Sequence, residues 1–449
     1  MISWLPLCVL LARPHVALIA DPPTYTTAPP ALIPGPDGVV PVFPSLQPLY
    51  GAVWGLAAST IAMPCNTSGW LDPAVTAPFG TVDVDWSNAK QQWAAAPAMD
   101  CQERLVEQAA RIAAAQPRSK VWVYRNIVKA LPWFKDVREK LADPQYSGFF
   151  LRYRPSDPAR PYLQPNTGNS TLYHDLGQTP ATYAPGACGD GVPCGEYLYD
   201  HRNGSMLREW LVETVIGGPD AMGNENVSGL FLDDFWSNYP FLLPWSNGDC
   251  STGAHGGASE EHGGCDEDTG LGAADVQAIA AGWRATLQAS FEKIVALGGY
   301  SWQMLQFPDG SSGSRTTPRG AGFFRSACVD EANATKMQRD PLMLRFSDDG
   351  GGATAPQFEQ DVAAFLLIRG PHAHLGFSWS GCSSEVGHYG ALTAAQVELL
   401  NRDFGEPTDA RCAEVAPGVF QRRWEGAVVQ LDTNANKANI TMVKRDTAV

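Results

Sequence analysis

The chain has 449 residues, a formal net charge of −15 and 44% apolar residues. This apolar content is sufficient for a large buried core, so intrinsic disorder is not expected. The negative charge argues against a nucleic acid or an anionic membrane as partner, because the surplus of Lys and Arg that neutralises phosphate is missing. No apolar run reaches the ~20 residues of a membrane-spanning helix, so we expect no membrane anchor.

The first 20 residues resemble a secretory signal peptide. An apolar run from Leu5 to Ala12 is followed by Ala20 at a plausible cleavage point. No Lys or Arg precedes the run and Arg13-Pro14-His15 interrupts it, so the N-terminus of a cytosolic protein remains the alternative. Residues 21–48 are rich in proline and predict a linker rather than a helix.

Two further features favour a secretory environment. N-x-S/T sequons, which are acceptors for N-glycosylation in secreted proteins, occur at Asn66, Asn169, Asn203, Asn226, Asn333 and Asn439. The ten cysteines suggest disulfides in short-range pairs: Cys65/Cys101, Cys188/Cys194 and Cys250/Cys265, with Cys328, Cys382 and Cys412 left among themselves. Loss of Cys8 with the signal peptide would leave one cysteine unpaired. We therefore expect the protein outside the cell or in the lumen of the secretory pathway.

After the linker, short apolar strands alternate with helical patterns. The strand candidates in chain order are T-V-D-V-D-W-S, K-V-W-V-Y-R-N, E-Y-L-Y-D, G-L-F-L-D-D-F, Y-S-W-Q-M-L-Q-F, M-L-R-F-S-D-D and H-L-G-F-S-W. The helix candidates are 101–115, about 206–215, 273–297 and 357–368, with a further amphipathic stretch interrupted at Pro132. This alternation predicts right-handed βαβ units, and seven or more strands favour a closed (β/α)₈ TIM barrel over residues 49–405.

The C-terminal residues 406–449 follow a different pattern. G-V-F-Q-R-R-W-E-G-A-V-V-Q-L-D and A-N-I-T-M-V alternate apolar and polar residues without helices between them. This predicts a small antiparallel β unit after the α/β barrel. No G-x-G-x-x-G follows the first strand, which removes the main sequence reason for a dinucleotide fold.

Several predicted strands end on acidic residues. The active site of such a barrel lies at the C-terminal ends of its strands, so acids from different strands are expected to meet there. The strand-end acids are Asp83, Asp85, Asp200, Asp233, Asp234, Asp348 and Asp349. Aromatic residues expected around them are Trp86, Tyr124, Trp236, Tyr239, Trp302 and Trp379.

Carboxylates beside aromatic rings suit carbohydrate chemistry, because sugar faces stack on rings and sugar hydroxyls bond to carboxylates. Glycoside hydrolysis requires two acids with separated pKa values, and a crowded acidic strand end favours such a separation. We therefore expect an oligo- or polysaccharide substrate and no cofactor. The substrate-binding candidates are Asp83, Asp85, Trp86, Tyr124, Arg125, Asp200, Trp236, Trp302, Arg345 and Trp379.

Five motifs resemble a hypothetical family of glycoside-hydrolase-like barrel proteins from microbes and algae, which is loosely similar to the α-galactosidase clan and to polygalactosaminidase-type enzymes. The motifs are V-D-W-S-N-A-K, Y-L-Y-D-H-R-N, G-L-F-L-D-D-F-W, D-F-G-E-P and P-G-V-F-Q-R-R-W-E-G-A-V-V-Q-L-D. In the α-galactosidase clan, a nucleophilic Asp closes the fourth strand and an acid/base Asp closes the sixth. The resemblance thus implies Asp233 for the first role and Asp348 or Asp349 for the second. Asp234 is a second candidate for the first role, and the choice within each pair stays open.

The same acids also have structural interpretations. Asp233 and Asp234 could cap the next helix, and the Asp348–Asp349 pair before three glycines could form a turn. Asp83 and Asp85 could hold Arg125 or Arg345 in an ion-pair network, and Asp200 could pair with His201 or Arg202.

Histidines raise the possibility of a metal site. His255, Glu260, His262 and Asp266 lie in a glycine-rich loop, and His372 and His374 share one face of a strand. Neither spacing matches a zinc finger or H-E-x-x-H, so a disulfide-stapled lid and structural histidines are favoured. A metal-dependent hydrolase and a non-catalytic carbohydrate-binding barrel remain the alternatives to a glycoside hydrolase.

Overall fold

A computed structural model describes residues 53–95, 97–153, 171–172, 187–234, 273–303, 320–339, 342–345, 355–377 and 392–443. A parallel sheet is its central element. Its strands are β1 (Thr60–Ala62), β2 (Thr81–Val84), β3 (Lys120–Asn126), β4 (Gly229–Asp233), β5 (Tyr300–Gln303), β6 (Leu342–Arg345) and β7 (Ala373–Phe377).

The strand order in this sheet is β5-β4-β3-β2-β1-β7-β6. The first strand in the chain therefore pairs with the last, as in a sheet that curls towards a barrel. Within the described residues the sheet has seven strands and no ladder between β5 and β6, so the predicted closed eight-stranded barrel is not complete there. All neighbouring strands run parallel, which places their C-terminal ends at one rim.

Helices cover this sheet, as the alternating pattern predicted. They are α1 (Cys101–Ala115), α2 (Lys135–Ala142), α3 (Ser205–Trp210, continued by a π-helical segment Leu211–Ile216), α4 (Ala273–Ala296), α5 (Gly320–Cys328), α6 (Glu331–Arg339), α7 (Ala355–Ile368) and α8 (Ala394–Leu400). Short helical turns occur at Ala57–Ser59, Pro73–Thr76, Lys90–Trp93, Pro144–Phe149 and His201–Asn203. The four helix predictions agree with α1, α3, α4 and α7. The amphipathic stretch around Pro132 becomes helical only from Lys135.

One predicted barrel strand was wrong. The E-Y-L-Y-D segment forms the strand Tyr197–Leu198, which pairs antiparallel with Lys129–Ala130 and not with the parallel sheet. We call these two short strands the rim pair, since Lys129 follows the C-terminal end of β3. The parallel sheet instead contains Thr60–Ala62, whose three residues are too few to show alternation. Relative to the prediction, the parallel sheet lacks Tyr197–Leu198 and includes Thr60–Ala62. G-L-F-L-D is therefore still the fourth parallel strand in chain order. Further two-stranded ladders join Arg152–Tyr153 to Thr171–Leu172 and Ala187–Gly189 to Val192–Pro193.

The chain then forms the predicted antiparallel β unit. It has the order β8-β9-β10-β11, with β8 at Ala413–Ala416, β9 at Val419–Trp424, β10 at Ala427–Asp432 and β11 at Lys437–Met442. In β10, Ala427, Val429 and Leu431 alternate towards the core and are buried. This period-two pattern is the one that the sequence showed.

Disulfides agree with the predicted pairings in part. Cys188 and Cys194 are bonded, as expected, and Cys328 is bonded to Cys412. The Cys65/Cys101 prediction was wrong, because Cys101 is a buried free thiol on α1. Cys65 is disulfide-bonded, with a partner outside the described residues. The predicted Cys250/Cys265 pair also lies outside them.

Candidate active site

The strand register assigns each strand-end side chain to a face of the sheet. Asp83 is paired with Trp122, and Asn126 is paired with Asp233. Side chains of directly paired residues lie on the same face, and so do residues two positions apart. Asp83, Tyr124 and Asp233 therefore share one face of the sheet. Tyr124 also contacts Phe231 there, with ring centroids 5.8 Å apart.

A glycine allows two large rings to pack on this face at the start of β4. Trp122 and Tyr300 stack with their ring centroids 5.5 Å apart. A Cβ atom at Gly229 would lie 2.4 Å from the Trp122 ring nitrogen and 2.4 Å from the Tyr300 carbonyl oxygen. Gly229 is thus required by close packing, and the strand can carry a side chain on this face only from Phe231 onward.

Asp233 is held by one donor on each carboxylate oxygen. The Tyr124 hydroxyl donates to Oδ2 of Asp233 over 2.7 Å. The backbone N–H of Asp234 donates to Oδ1 of Asp233 over 2.9 Å. The Asp234 backbone has a φ of 61°, a left-handed conformation that Asp adopts more readily than most residues. The left-handed turn at Asp234 therefore fixes the carboxylate of the residue before it.

The carboxylate of Asp234 points to a different set of partners. Its Oδ2 atom accepts a hydrogen bond of 2.7 Å from the amide of Asn126 and lies 3.3 Å from Nζ of Lys129. Lys129 also lies 3.1 Å from Oε2 of Glu196. Lys129 and Glu196 come from the rim pair and its immediate flank, so that pair supplies a cation and an acid to the C-terminal end of β4.

Asn126 connects the two halves of this network. Its amide nitrogen donates to the Tyr124 hydroxyl over 3.0 Å as well as to Asp234. Its side-chain oxygen accepts the backbone N–H groups of Val128 and Lys129, at 2.8 Å and 2.7 Å. The single Asn126 side chain therefore ends β3, shapes the turn to Lys129 and aligns both aspartates.

Asp83 lies on the same face of the sheet as Tyr124 and Asp233. It is fully buried, and neither of its carboxylate oxygens has a hydrogen-bond partner in the described part of the chain. Burial, together with the charges of Asp85 and Asp233, raises the pKa of Asp83 well above its usual value. A buried carboxyl in such surroundings is held in its neutral form.

Asp85 and Trp86 form the adjoining wall of the site. Asp85 accepts a hydrogen bond from the backbone N–H of Ser87 over 2.8 Å and another from the Ser87 hydroxyl. Burial raises the pKa of Asp85, although these hydrogen bonds oppose the shift. Trp86 is half-buried and packs edge-on against Tyr124, with ring centroids 6.5 Å apart. Nζ of Lys90 lies 4.8 Å from the centre of the Trp86 ring.

The surroundings of Asp233 change its protonation. Burial and the neighbouring charge of Asp234 raise the pKa of Asp233 to about 7, while Lys129 and the Tyr124 hydroxyl oppose that shift. Burial, with Asp233 and Asp234, raises the pKa of Tyr124, so its hydroxyl keeps the proton that it donates. A carboxyl with a pKa near 7 is populated in both protonation states at neutral pH, which is the property required of a general acid or base.

Two predicted site residues lie elsewhere. Arg125 is on the opposite face of β3, where it donates to the backbone carbonyls of Tyr124 and Asp220 and lies over the Phe134 ring. Asp200 lies outside the parallel sheet and forms two hydrogen bonds with the Arg202 guanidinium, at 2.9 Å and 2.7 Å. The structure thus brings Asp83, Asp85, Trp86 and Tyr124 to Asp233, but neither Arg125 nor Asp200.

Other predicted residues cannot be placed in this geometry. Trp302 and Arg345 lie in β5 and β6 by their backbones. The remaining candidates fall outside the described residues: Asp348, Asp349, Trp236, Tyr239, Trp379, His255, Glu260, His262 and Asp266.

Sequence reasoning missed Asn126, Lys129 and Glu196. Asn126 ends the strand K-V-W-V-Y-R-N, and a polar residue at that position was a usable signal. Lys129 was assigned to an amphipathic stretch, and Glu196 to a strand that was placed in the wrong sheet. No pattern in the sequence links those two segments, so their meeting at Asp234 could not be predicted.

The described residues contain no group of three or more His, Cys, Asp or Glu placed to hold a metal ion. His374 is buried in β7, and burial lowers its pKa to about 4. His374 is therefore neutral at physiological pH.

The fold and the site together define an α/β protein of the curled parallel-sheet type, with an acidic site at the C-terminal ends of its strands. No family model and no curated protein matches the chain. Similar solved structures include sucrose 6F-phosphate phosphorylase from Thermoanaerobacter thermosaccharolyticum, at 9% identity and a TM-score of 0.44, covering 87% of this chain and 96% of that one. The α-glucosyl transfer enzyme XgtA is 10% identical with a TM-score of 0.42, covering 84% and 90%.

A third similar structure is described as a family GH13_31 enzyme. It is 9% identical to this chain with a TM-score of 0.41, and the match covers 85% of this chain and 92% of that one. At such identities, and with TM-scores below 0.5, none of these similarities assigns a function or a catalytic residue to this chain.

Proposed function

We propose that the protein is a glycoside hydrolase that cleaves O-glycosidic bonds in an oligo- or polysaccharide. The observation that carries this proposal is the state of Asp233. Its carboxyl lies at the C-terminal end of β4, is fixed by Tyr124 and by the N–H of Asp234, and has a pKa of about 7. Such a carboxyl can give or accept a proton at the glycosidic oxygen or at an attacking water.

The neighbouring aromatic residue supports a sugar as substrate. Trp86 is half-buried beside the acids, and its ring offers an apolar surface for a sugar face. Trp236, Trp302 and Trp379 are proposed to complete that surface, with Arg345 as a further substrate contact.

Glycoside hydrolysis requires a second carboxyl. The Asp83 carboxyl has no hydrogen-bond partner among the described residues, and it shares a face of the sheet with Asp233. Asp348 and Asp349, which follow β6 in the sequence, are the proposed second carboxyl. In this scheme Asp233 exchanges the proton, and Asp234 stays bound to Lys129.

Secretion is proposed from the N-terminal pattern, the sequons and the disulfides Cys188–Cys194 and Cys328–Cys412. Among the described helices none is long and apolar enough to cross a membrane.

An activity screen of the purified protein tests the proposal. The substrates are galactosides, galactosaminides and algal polysaccharides, and the Asp233→Asn variant is assayed beside the wild type. We expect turnover of at least one substrate and a loss of about 100-fold or more in Asp233→Asn, because acid–base catalysis contributes about 10²–10⁴-fold. Asp143→Asn is the matched control, since Asp143 is exposed and only caps a short helical turn. Equal activity of Asp233→Asn and wild type would exclude the proposed role.

A further inference from the structure

The C-terminal sheet turns one face of its end strand, β11, away from the protein. Val429 of β10 is buried and is paired with Ile440 of β11. Paired residues share a face of the sheet and successive residues alternate between faces. Ile440 therefore faces the core, while its neighbours Asn439 and Thr441 lie on the outer face. Both of these residues are exposed.

Asn439 begins the sequon N-I-T, whose third residue is Thr441. The Thr441 hydroxyl donates a 3.3 Å hydrogen bond to Oδ1 of Asn439. The side-chain nitrogen of Asn439 makes no hydrogen bond within the described part of the chain. Attachment of a sugar to this nitrogen thus removes no contact that the described fold makes.

Three other sequons have asparagine side chains that the structure describes, and each of these amides is more engaged. Asn66 and Asn226 are half-buried, and Nδ2 of Asn226 donates to Oδ1 of Asn224 over 3.3 Å. Asn333 is exposed on α6, but its Nδ2 donates to the Ser326 hydroxyl over 2.8 Å. Asn439 is the one among these four sequons that combines exposure with an unengaged amide nitrogen.

Asn66 is the opposite case, because both ends of its amide close a turn. Its Nδ2 donates to the Trp70 carbonyl over 2.7 Å. Its Oδ1 accepts the backbone N–H of Ser68 at 3.1 Å and the Ser68 hydroxyl at 2.9 Å. A Cβ atom on Gly69 would lie 3.9 Å from the same Nδ2. A sugar on this nitrogen would therefore crowd a turn that packs against it.

We propose that Asn439 carries an N-linked glycan and that Asn66 of the native protein carries none. The glycan requires the proposed secretion of the chain and does not depend on the proposed glycosidase activity. N-linked glycans are bulky and stand on the surface of secreted proteins. At Asn439 the sugar extends from the outer face of β11, and the core-facing Ile440 keeps its place.

The donor of the sugar is an oligosaccharide carried on a lipid diphosphate in the lumen of the secretory pathway. The amide nitrogen of Asn439 forms a bond to the anomeric carbon of the oligosaccharide. The bond from that carbon to the diphosphate oxygen breaks, and the lipid diphosphate leaves with the electron pair. The amide loses one proton and keeps the other.

Site-resolved mass spectrometry of the secreted protein tests this assignment. The full-length chain is produced in a eukaryotic cell line, once with its own N-terminus and once behind an added secretion signal of established function. Folded protein from the medium is treated with a peptide N-glycosidase in heavy-oxygen water, which converts each glycosylated Asn into a labelled Asp. Asn439→Gln and Thr441→Val are the matched variants, and each should lack the mass of one glycan.

A label at Asn439 with none, or only a trace, at Asn66 supports the inference. No label at Asn439, or a label beyond a trace at Asn66, overturns it. Export of the chain without a label at Asn439 leaves the proposed secretion standing. Retention of the chain with its own N-terminus, together with export behind the added signal, removes the secretion that the glycan requires.

The packing of Asn66 has a test that needs no glycan. Protein exported to a bacterial periplasm is unfolded in urea as wild type, Asn66→Gln and Asn439→Gln. We expect a lower unfolding midpoint in Asn66→Gln, because the turn to Ser68 and Trp70 loses its amide, and no change in Asn439→Gln. Equal midpoints in the two variants would overturn the contrast between the two asparagines.

Discussion

The hydroxyl of Tyr124 donates a 2.7 Å hydrogen bond to Oδ2 of Asp233, across 109 positions of the chain. This bond exists because Tyr124 is paired with Phe231 on the neighbouring strand, which puts Asp233 two positions further along the same face. The ring of Tyr124 is buried among Trp86, Phe134 and Phe231, so it has little freedom to turn away. One oxygen of the central carboxylate is therefore oriented by a rigid aromatic side chain.

Removal of this donor should change the titration of Asp233. In Tyr124→Phe the hydrogen bond that favours the charged carboxylate is lost, so the pKa of Asp233 should rise above its value of about 7. We expect a shift of about one unit, since a hydrogen bond to a charged group contributes about 1.5–3 kcal/mol. The pH dependence of hydrolysis, or a carbon-13 NMR titration of the Asp233 carboxyl, measures this shift in pKa. Tyr197→Phe is the control, since Tyr197 donates to the Pro193 carbonyl; an equal shift there would contradict the assignment.

Asp83 should destabilise the folded protein as the pH rises. Its pKa is raised by burial in the folded chain, so above the usual Asp pKa near 4 the unfolded chain releases a proton that the folded chain retains. Stability is therefore lost with increasing pH. In Asp83→Asn this loss is absent, and we expect a gain of about 1–3 kcal/mol at pH 8 that shrinks towards pH 4.

Urea unfolding of both proteins at a series of pH values measures this difference. Glu139→Gln, an exposed substitution on α2, serves as the control and should show no such trend. A stability difference that is independent of pH would show that Asp83 is not held neutral in the folded protein.

Arg422 should be essential for the stability of the folded protein, because it joins the C-terminal sheet to α7. Its guanidinium is 1% exposed and donates to the carbonyls of Leu367 and Arg369, at the C-terminal end of α7, and to the Gln338 side chain. Burial lowers its pKa to about 10, which still leaves it charged. Arg422→Lys cannot span these acceptors and should cost about 3 kcal/mol or more.

The neighbouring Arg423 provides a matched control. Its side chain is 64% exposed and pairs with Asp409 on the surface. Arg423→Lys should therefore cost less than about 1 kcal/mol. Denaturant unfolding compares the two variants, and similar losses in both would contradict the role of Arg422.

The Cys328–Cys412 disulfide should contribute more to stability than Cys188–Cys194. It joins residues 84 positions apart and ties α5 to the start of the C-terminal sheet, whereas the other bond spans 6 positions. In the chain-entropy model, a closed loop of the first size contributes about 4–5 kcal/mol and one of the second about 2 kcal/mol. Paired alanine variants compared by denaturant unfolding without reductant test this order. Equal losses would show that the unfolded-state constraint is not the main effect.

Local patterns in the sequence predicted a large part of the fold. Residues 101–115 have helical periodicity and form α1, and A-V-V-Q-L-D alternates apolar and polar residues and forms β10. These elements could be predicted because each buries one face, and the period of the hydrophobic pattern follows from the backbone geometry. The strand Thr60–Ala62 could not be predicted, because all three of its residues are buried and show no alternation of buried and exposed positions.

The candidate site was predictable only as a set of strand ends. Asp83, Asp85, Tyr124 and Asp233 were expected to meet, and the parallel register brings them to one face. Arg125 was also expected at the site. It follows Tyr124 by one residue in β3, so its side chain lies on the opposite face of the strand. Tyr197–Leu198 resembled a barrel strand in composition, yet it pairs with Lys129–Ala130 instead.

The sequence by itself determined many of the strands and helices and that acids end several strands, because these features depend on neighbours along the chain. Only the tertiary structure decided that Asp233 meets Tyr124 while Asp234 turns to Asn126 and Lys129. That division depends on the register between β3 and β4 and on the left-handed backbone of Asp234. Both are set by contacts between segments far apart in the chain, for which local composition carries no signal.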